Sequence, residues 1–470
     1  MYITRVRLSN IKGFSGQRTV DLGFAQGSHA GWTVLAGRNG SGKTTMLRAM
    51  ALAVAGPEVA RNLMPDYGNW VSEGCDTARA MVSIGAEPED RWDLPRGIAS
   101  RLRLEDVPEI DLGLSWSLPP ASLFDLPGKR DIQPRLVRDR FSSSGFELGD
   151  TLLRVGPSRG PWNLNREGWF CAAYGAFRRL PSATGSRLGA VRSPRLEDRL
   201  ASLFHEDVPL TEGVGWLIDQ HLRALEDWNG AAELKDAALR ILSDGLLPDH
   251  HELSKINSEG LWVVNRGREF PLREMSDGYR TVAALVIDIL RQMFVAYGDL
   301  LHKTDSEGRT VVTAPGVVMI DEVEAHLHIA WQKRIGSWLK SHFPNVQFIV
   351  TTHSPYICQD ADPGGLIRLP GPDEQAKPEI ASDDLWERVV YGSGDDAVVS
   401  ELFGIDSTFS ATAQQLRREL VALEVKVIKG TADEAEIARY RELKEKLTSS
   451  AVTRSREIGA GLPDLGAANE

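Results

Sequence analysis

Residues 37–44 read Gly-Arg-Asn-Gly-Ser-Gly-Lys-Thr, an order of residue types suited to gripping a polyphosphate. Glycines let the backbone turn tightly enough for successive N–H groups to face one anion, and a helix that follows adds the positive end of its dipole. Arg38, Asn39, Gly40, Ser41 and Gly42 would supply loop contacts, and Lys43 would reach the β and γ phosphates. Thr44, with Thr45 beside it, would offer a hydroxyl to Mg²⁺. A nucleotide such as ATP is the ligand this segment predicts.

Three further segments could turn binding into hydrolysis. Residues 316–322, GVVMIDE, form an apolar run closed by two acids, and a buried strand delivers such carboxylates to its C-terminal edge. Asp321 would hold the Mg²⁺ shell, and Glu322 would polarise an attacking water. Residues 346–355, VQFIVTTHSP, form a second apolar run ending at His353, a side chain able to contact a γ-phosphate and sense its loss. Residues 275–280, MSDGYR, precede the apolar helical run Val282–Met293, which puts Ser276, Asp277 and Gly278 at another helix N-terminus. That segment reads either as a generic N-cap or as a second anion site. One chain seldom needs two anion sites for one nucleotide, but two chains packed head to tail could close each ATP between one P-loop and the other chain's serine.

The elements that must hold these residues alternate as strand and helix. The P-loop follows the apolar run Trp32–Ala36 and opens the helical stretch Met46–Ala55, and Ile3, Val6 and Leu8 mark an earlier strand. Residues 1–60 therefore read as the first half of an α/β nucleotide domain, and 261–375 as its second half. Between them, 61–189 reads as a β-rich lobe with irregular loops and short strands such as Leu102–Val107 and Leu112–Leu118. Residues 190–260 read as a helical lobe, with strands returning at Leu261–Val264. Residues 376–450 read as helical, ending in a hairpin whose stripes are Leu416, Leu420, Leu423 and Val427, then Ile437, Tyr440 and Leu447, parted by Gly430-Thr431. Those stripes either pack as core or dock a partner. The tail 451–470 reads as disordered.

Length and composition limit the remaining options. A chain of 470 residues with 42% apolar content suits two or three structural units with a large core. Cys75, Cys171 and Cys358 are far apart and form neither a CxxC pair nor a disulfide framework, so a reducing cytoplasm is expected. The opening MYITRVRLSNIKGF lacks an apolar leader core, and no apolar run is long enough to span a bilayer, so no membrane partner is expected. A formal net charge of -11 argues against a chain that coats nucleic acid over its whole surface. Local basic clusters occur at Lys129, Arg130, Arg135, Arg138 and Arg140, and at Arg178, Arg179, Arg187, Arg192, Arg195 and Arg199. They read either as a nucleic-acid path or as solvated surface.

Together the motifs resemble the ABC-type ATPase heads of the SMC and RecF class: GRNGSGKT as Walker A, MSDGYR as the signature, IDE as Walker B and TTHS as the switch. The likeness covers residues 1–60 and 270–360. Within that class, IDEVEAHLHIAWQ followed by FPNVQFIVTTHSP is similar to the ATPase half of OLD-family proteins and to the PtuA-type ATPases of Septu defence. The resemblance implies an ABC-type α/β head with a mixed or parallel sheet, an inserted β-rich and helical lobe, and a C-terminal helical hairpin. It also implies ATP-dependent assembly into a homodimer or higher homo-oligomer, with Lys43, Thr44, Asp321, Glu322 and His353 from one chain and Ser276 from the other. Arg61 would lie by the phosphates, and Glu324–His328 would cross the dimer interface.

Departures from the class pattern are Asp277 where a second glycine is usual, Tyr279 where Gln or Glu is common, and Val323 in place of a proline. The usual Gln-bearing lid loop is not evident; its nearest counterpart is Trp169–Ala173 running into Tyr174-Gly175. Sustained heptads for a long arm are missing between the P-loop and the signature. For the metal-binding nuclease domain of OLD proteins, the one candidate beyond His353 is Asp395-Asp396, read as a solvated turn. The expected function is thus a slow ATPase that regulates a separate effector, a nuclease or toxin, in bacterial anti-phage defence. The alternative is a stand-alone RecF-like DNA-repair ATPase; a transporter subunit fits poorly.

Overall fold

The computed structural model describes residues 1–23, 29–91, 109–118, 132–137, 161–163, 167–178, 196–206, 210–372, 374, 376–405, 407 and 409–447. Leu102–Val107, Lys129, Arg130, Arg138, Arg140, Arg179, Arg187, Arg192, Arg195 and the tail 451–470 lie outside them.

Alternating apolar residues build the first sheet. Strand β1 (Tyr2–Ile11) buries Ile3, Val6, Leu8 and Ile11 and pairs antiparallel with β2 (Phe14–Asp21). β3 (Gly31–Gly37) is apolar almost throughout and belongs to a different sheet. β4 (Thr77–Gly85), β5 (Glu109–Ser117) and β6 (Arg135–Leu136) extend the first pair into a five-stranded antiparallel sheet of order β2-β1-β4-β5-β6.

The second sheet carries the chemistry. It takes β3, the short strand β7 (Cys171–Tyr174) and four strands from the second half of the chain. Before those four come a meander of β8 (Glu252–Asn257), β9 (Gly260–Asn265) and β10 (Arg268–Pro271) and a hairpin of β11 (His302–Thr304) and β12 (Thr310–Val312). β13 (Gly316–Ile320), β14 (Val346–Thr352), β15 (Leu366–Leu369) and β16 (Glu379–Ile380) complete the order β16-β15-β3-β14-β13-β7, parallel except for β16. Such strands, covered on both faces, read as continuous apolar runs.

Alternate residues of this sheet feed two cores. Leu35, Val317, Met319 and Ile349 face the P-loop helix Lys43–Ala55, which packs on the first sheet. Val34, Val318, Ile320, Phe348 and Val350 join the core that holds the signature helix Asp277–Tyr297 and the helical lobe. That lobe has helices Thr211–Leu225 and Ala231–Ser243, whereas helix Leu196–Phe204 buries Leu196, Leu200 and Leu203 in the core of the P-loop helix.

Among the described residues of 61–189, β4 pairs with β1, β5 pairs with β4, and β7 pairs with β13, so these strands belong to the two sheets. The first compact unit runs to Phe403, taking in helices Asp383–Val390 and Gly394–Val398, and the second begins at Gly404. Asp395-Asp396 form the first turn of a short helix, with Ser393 and Asp396 making a capping box.

The second unit is an αα-hairpin of Ala411–Ile428 and Glu434–Lys446, turned at Gly430 with φ 70. Leu420, Leu423 and Leu443 form its core with Leu416, Tyr440 and Leu447 against them, so much of each stripe is spent on the other. Among the described residues no helix is long and apolar enough to cross a membrane.

Candidate functional site

Because β3, β7, β13 and β14 run parallel, their C-terminal ends meet at one edge of the sheet, where open α/β sheets bind ligands. β3 passes directly into the P-loop. Gly40 and Gly42 have φ of 80 and 87, the left-handed region that favours glycine. The loop is also packed too closely for side chains. A Cβ on Gly42 would meet the Phe14 ring at 2.5 Å, and one on Gly37 would meet Leu369 O at 2.6 Å and Ser41 Oγ at 2.7 Å. Arg38, Asn39 and Gly40 are exposed, whereas Ser41 and Lys43 are buried. Lys43 Nζ donates to Gly37 O at 2.7 Å and Arg38 O at 3.0 Å. Burial pushes its pKa down to about 8, against the pull of Asp321 and Glu322.

The Walker B acids sit beside this lysine. Asp321 is 6% exposed and accepts from Thr44 Oγ1 at 2.8 and 3.1 Å and from Thr351 Oγ1 at 2.5 Å. Its N–H donates to Tyr174 O at 2.8 Å. Glu322 turns left-handed, with φ 44, a conformation that costs a non-glycine residue about 1–3 kcal/mol. Its N–H donates to Thr351 Oγ1 at 2.8 Å, and Val323 N–H donates to Thr351 O at 3.1 Å. The donor set fits Mg²⁺, a hard cation that takes one or two protein oxygens alongside phosphate oxygens and water. Thr44 and Asp321 are the residues that would hold it, and Ser41 Oγ is a buried hydroxyl without a partner among the described residues. A bound Mg²⁺ would supply positive charge against the phosphates.

His353 follows β14, and its backbone N–H donates to the Glu324 carboxylate. Partial burial and then the Lys43 ammonium push the His353 pKa below its ordinary value, which favours the neutral imidazole. Residues 324–328 form tight turns, with Ala325 N–H donating to Glu322 O and Leu327 N–H to Glu324 O, each at 2.8 Å. The signature packs on that turn within the same chain: a Cβ on Gly278 would lie 2.4 Å from His326 O. Ser276 is the N-cap of the signature helix, is exposed, and makes no side-chain capping hydrogen bond. Asp277 is 85% exposed and pairs with Arg280 at 3.1 Å. Tyr279 Oη donates to Asp249 at 2.8 Å.

Lys43, Thr44, Asp321, Glu322 and His353 are thus gathered at one edge, and Ser276, Asp277 and Gly278 at the signature face beside the turn. Among the described residues no hydrogen bond or ion pair joins Arg61 to this cluster. The thirteen-residue helix Lys43–Ala55 carries the chain away, and from the next helix, Pro57–Leu63, Arg61 donates to Pro134 O at 3.4 Å. The basic cluster is also corrected at two positions. Arg178 and Arg199 are 2% and 7% exposed, neither a DNA path nor solvated surface.

Residues that motif reading passed over include Thr351, Phe14 and Arg178. A threonine within a buried strand must find a hydrogen-bond partner, and that need was the available signal for Thr351. Arg178 follows the mostly apolar stretch 169–177, which sets it apart from the charged residues after it.

A family model described as "AAA domain, putative AbiEii toxin, Type IV TA system" matches residues 149–359, and one described as "AAA domain" matches residues 5–77. The chain is 26% identical over 357 residues to the Septu protein PtuA of Bacillus mycoides (strain KBAB4), a match covering 75% of this chain and 38% of that one. The chain has the α/β fold of a P-loop ATPase and is similar to Septu PtuA. It spans well under half the length of that relative. It is also 23% identical to the Retron Ec83 probable ATPase of Escherichia coli, over 77% of this chain and 70% of that one. Of solved structures, the crystal structure of the SmcHead bound to the C-winged helix domain of ScpA aligns at a TM-score of 0.45 and 16% identity, over 81% of this chain and 98% of that one.

Proposed function

We propose that the chain binds ATP with Mg²⁺ as a homodimer or higher homo-oligomer, hydrolyses it slowly, and so controls a separate effector, a nuclease or toxin, in cytoplasmic anti-phage defence. The observation that carries this reading is the division of the site: Lys43 and Asp321 are buried, with Asp321 bonded to Thr44 and Thr351, while Ser276 stands on an exposed face with its hydroxyl unspent on capping. In this reading Lys43 holds the β and γ phosphates and Glu322 polarises the water that attacks the γ-phosphorus. The bond to the bridging oxygen breaks, ADP carries that oxygen away, and His353 senses the change. Ser276 of the partner subunit closes the site. Likeness to a Septu protein and to a retron ATPase supports the defence setting.

Expressing tagged Glu322→Gln with its native gene neighbours and ATP, followed by mass spectrometry and mass photometry, tests the proposal. A stoichiometric nuclease or toxin on an ATP-dependent dimer is the expected result. A chain that stays monomeric with ATP and captures no neighbour would overturn it, and a clean dimer carrying only DNA would favour repair instead.

A further inference from the structure

Arg178 is a buried cation whose hydrogen bonds among the described residues all go to backbone carbonyls. Its Nη1 donates to Gly175 O at 2.9 Å and Asp321 O at 2.8 Å, and its Nη2 to Glu322 O at 3.0 Å and Val323 O at 3.2 Å. Both terminal nitrogens are thus fully spent on backbone carbonyls, three of them from consecutive residues, and Nε has no partner among the described residues. The middle residue of those three is Glu322, in its left-handed conformation. Thr351 holds the N–H side of the same segment. The carbonyl of Arg178 in turn accepts from Thr281 Oγ1 at 3.3 Å, on the signature helix. One guanidinium therefore ties the end of β7, the Walker B turn and, through Thr281, the helix whose start carries Ser276. A side chain needed only for packing would not place a guanidinium here, because burying a cation is costly: burial pushes this pKa down to about 10 against the pull of Asp321, Glu324 and Glu322.

From this geometry we infer that Arg178 is a positioning residue for ATP hydrolysis: it clamps the carbonyls of Asp321, Glu322 and Val323 so that Glu322 keeps the turn from which its carboxylate acts. The role is exerted through Glu322, not on the nucleotide, and it rests on the ATPase reading above. Lysine keeps the charge at this position but cannot span four carbonyls.

The test is steady-state and single-turnover hydrolysis by the full chain with Mg²⁺ and ATP, in wild type, Arg178→Lys, Glu322→Gln and the double variant. Arg178→Lys is expected to lower kcat about 30- to 100-fold with KM for ATP within about threefold, the scale on which misplaced catalytic groups cost rate. In the Glu322→Gln background the same change should cost nothing further, since the two act as one unit. Equal losses in both backgrounds would reduce Arg178 to a structural residue, and unchanged kcat in folded Arg178→Lys would overturn the role outright. If Arg178→Lys does not fold, Thr281→Val decides: a several-fold fall in kcat at constant KM supports the clamp, and wild-type kcat contradicts it. A wild-type chain that binds but never hydrolyses ATP would instead remove the ATPase reading itself.

Discussion

The Walker edge and the signature face lie on the same ATPase head and are built in opposite ways. At the Walker edge, Asp321 accepts from Thr44 and Thr351, and Lys43 and Ser41 are buried. At the signature face, Ser276 and Asp277 are exposed, and Gly278 packs closely on His326 O. In the proposed reading, chemistry is prepared inside one chain, while the last anion contact is left on the surface. That contrast is what a site completed by a second copy requires.

The contrast can be broken from either side. The largest effect belongs to Glu322→Gln, expected to slow hydrolysis by about 10²–10⁴-fold while ATP affinity persists, read by phosphate release and by titration of a fluorescent ATP analogue. Lys43→Ala removes the donor to Gly37 O and Arg38 O and should weaken ATP binding by at least about 10²-fold. A thermal shift with ATP that survives this change would contradict the P-loop assignment.

A smaller effect follows from the Lys43 pKa of about 8. Below that pH the ammonium is already present and affinity should be flat. Above it ATP must bring a proton, so affinity should fall by up to about tenfold per pH unit. Calorimetry in buffers of different ionisation heat would detect the proton taken up, and pH-independent affinity from 7 to 9.5 would count against it.

Smallest is Gly278→Ala, where a Cβ 2.4 Å from His326 O must displace backbone. A several-fold loss of turnover without loss of ATP affinity is expected, since such overpacking typically costs about 1–3 kcal/mol and falls on the signature side. Equal losses of both would mean that the two regions are not separable.

Much of the Walker edge was legible in the sequence, because its residues sit at the ends of apolar strands where spacing alone reveals them. GRNGSGKT follows β3, Asp321-Glu322 closes β13 and His353 follows β14. What was not legible depends on pairings between distant segments. β7 looked like part of a lobe because four residues carry little periodicity, and only its pairing with β13 reveals its place. Arg178 looked like a surface base for the same reason: its four carbonyl partners belong to Gly175 and to residues 321–323. Arg61 was placed by the family resemblance alone, and its hydrogen bond goes to Pro134 O, a partner that no local pattern reveals.

The most direct measurement of the two-chain site mixes two defective chains. Lys43→Ala keeps its signature but loses its P-loop, and Ser276→Arg keeps its P-loop but loses its signature, so each alone should be nearly inactive. In a 1:1 mixture half of the random dimers hold one complete site, and hydrolysis should return to about one quarter of wild type. No recovery in mixed dimers verified by mass photometry, or full turnover by Ser276→Arg alone, would contradict a site closed by the signature of a second chain.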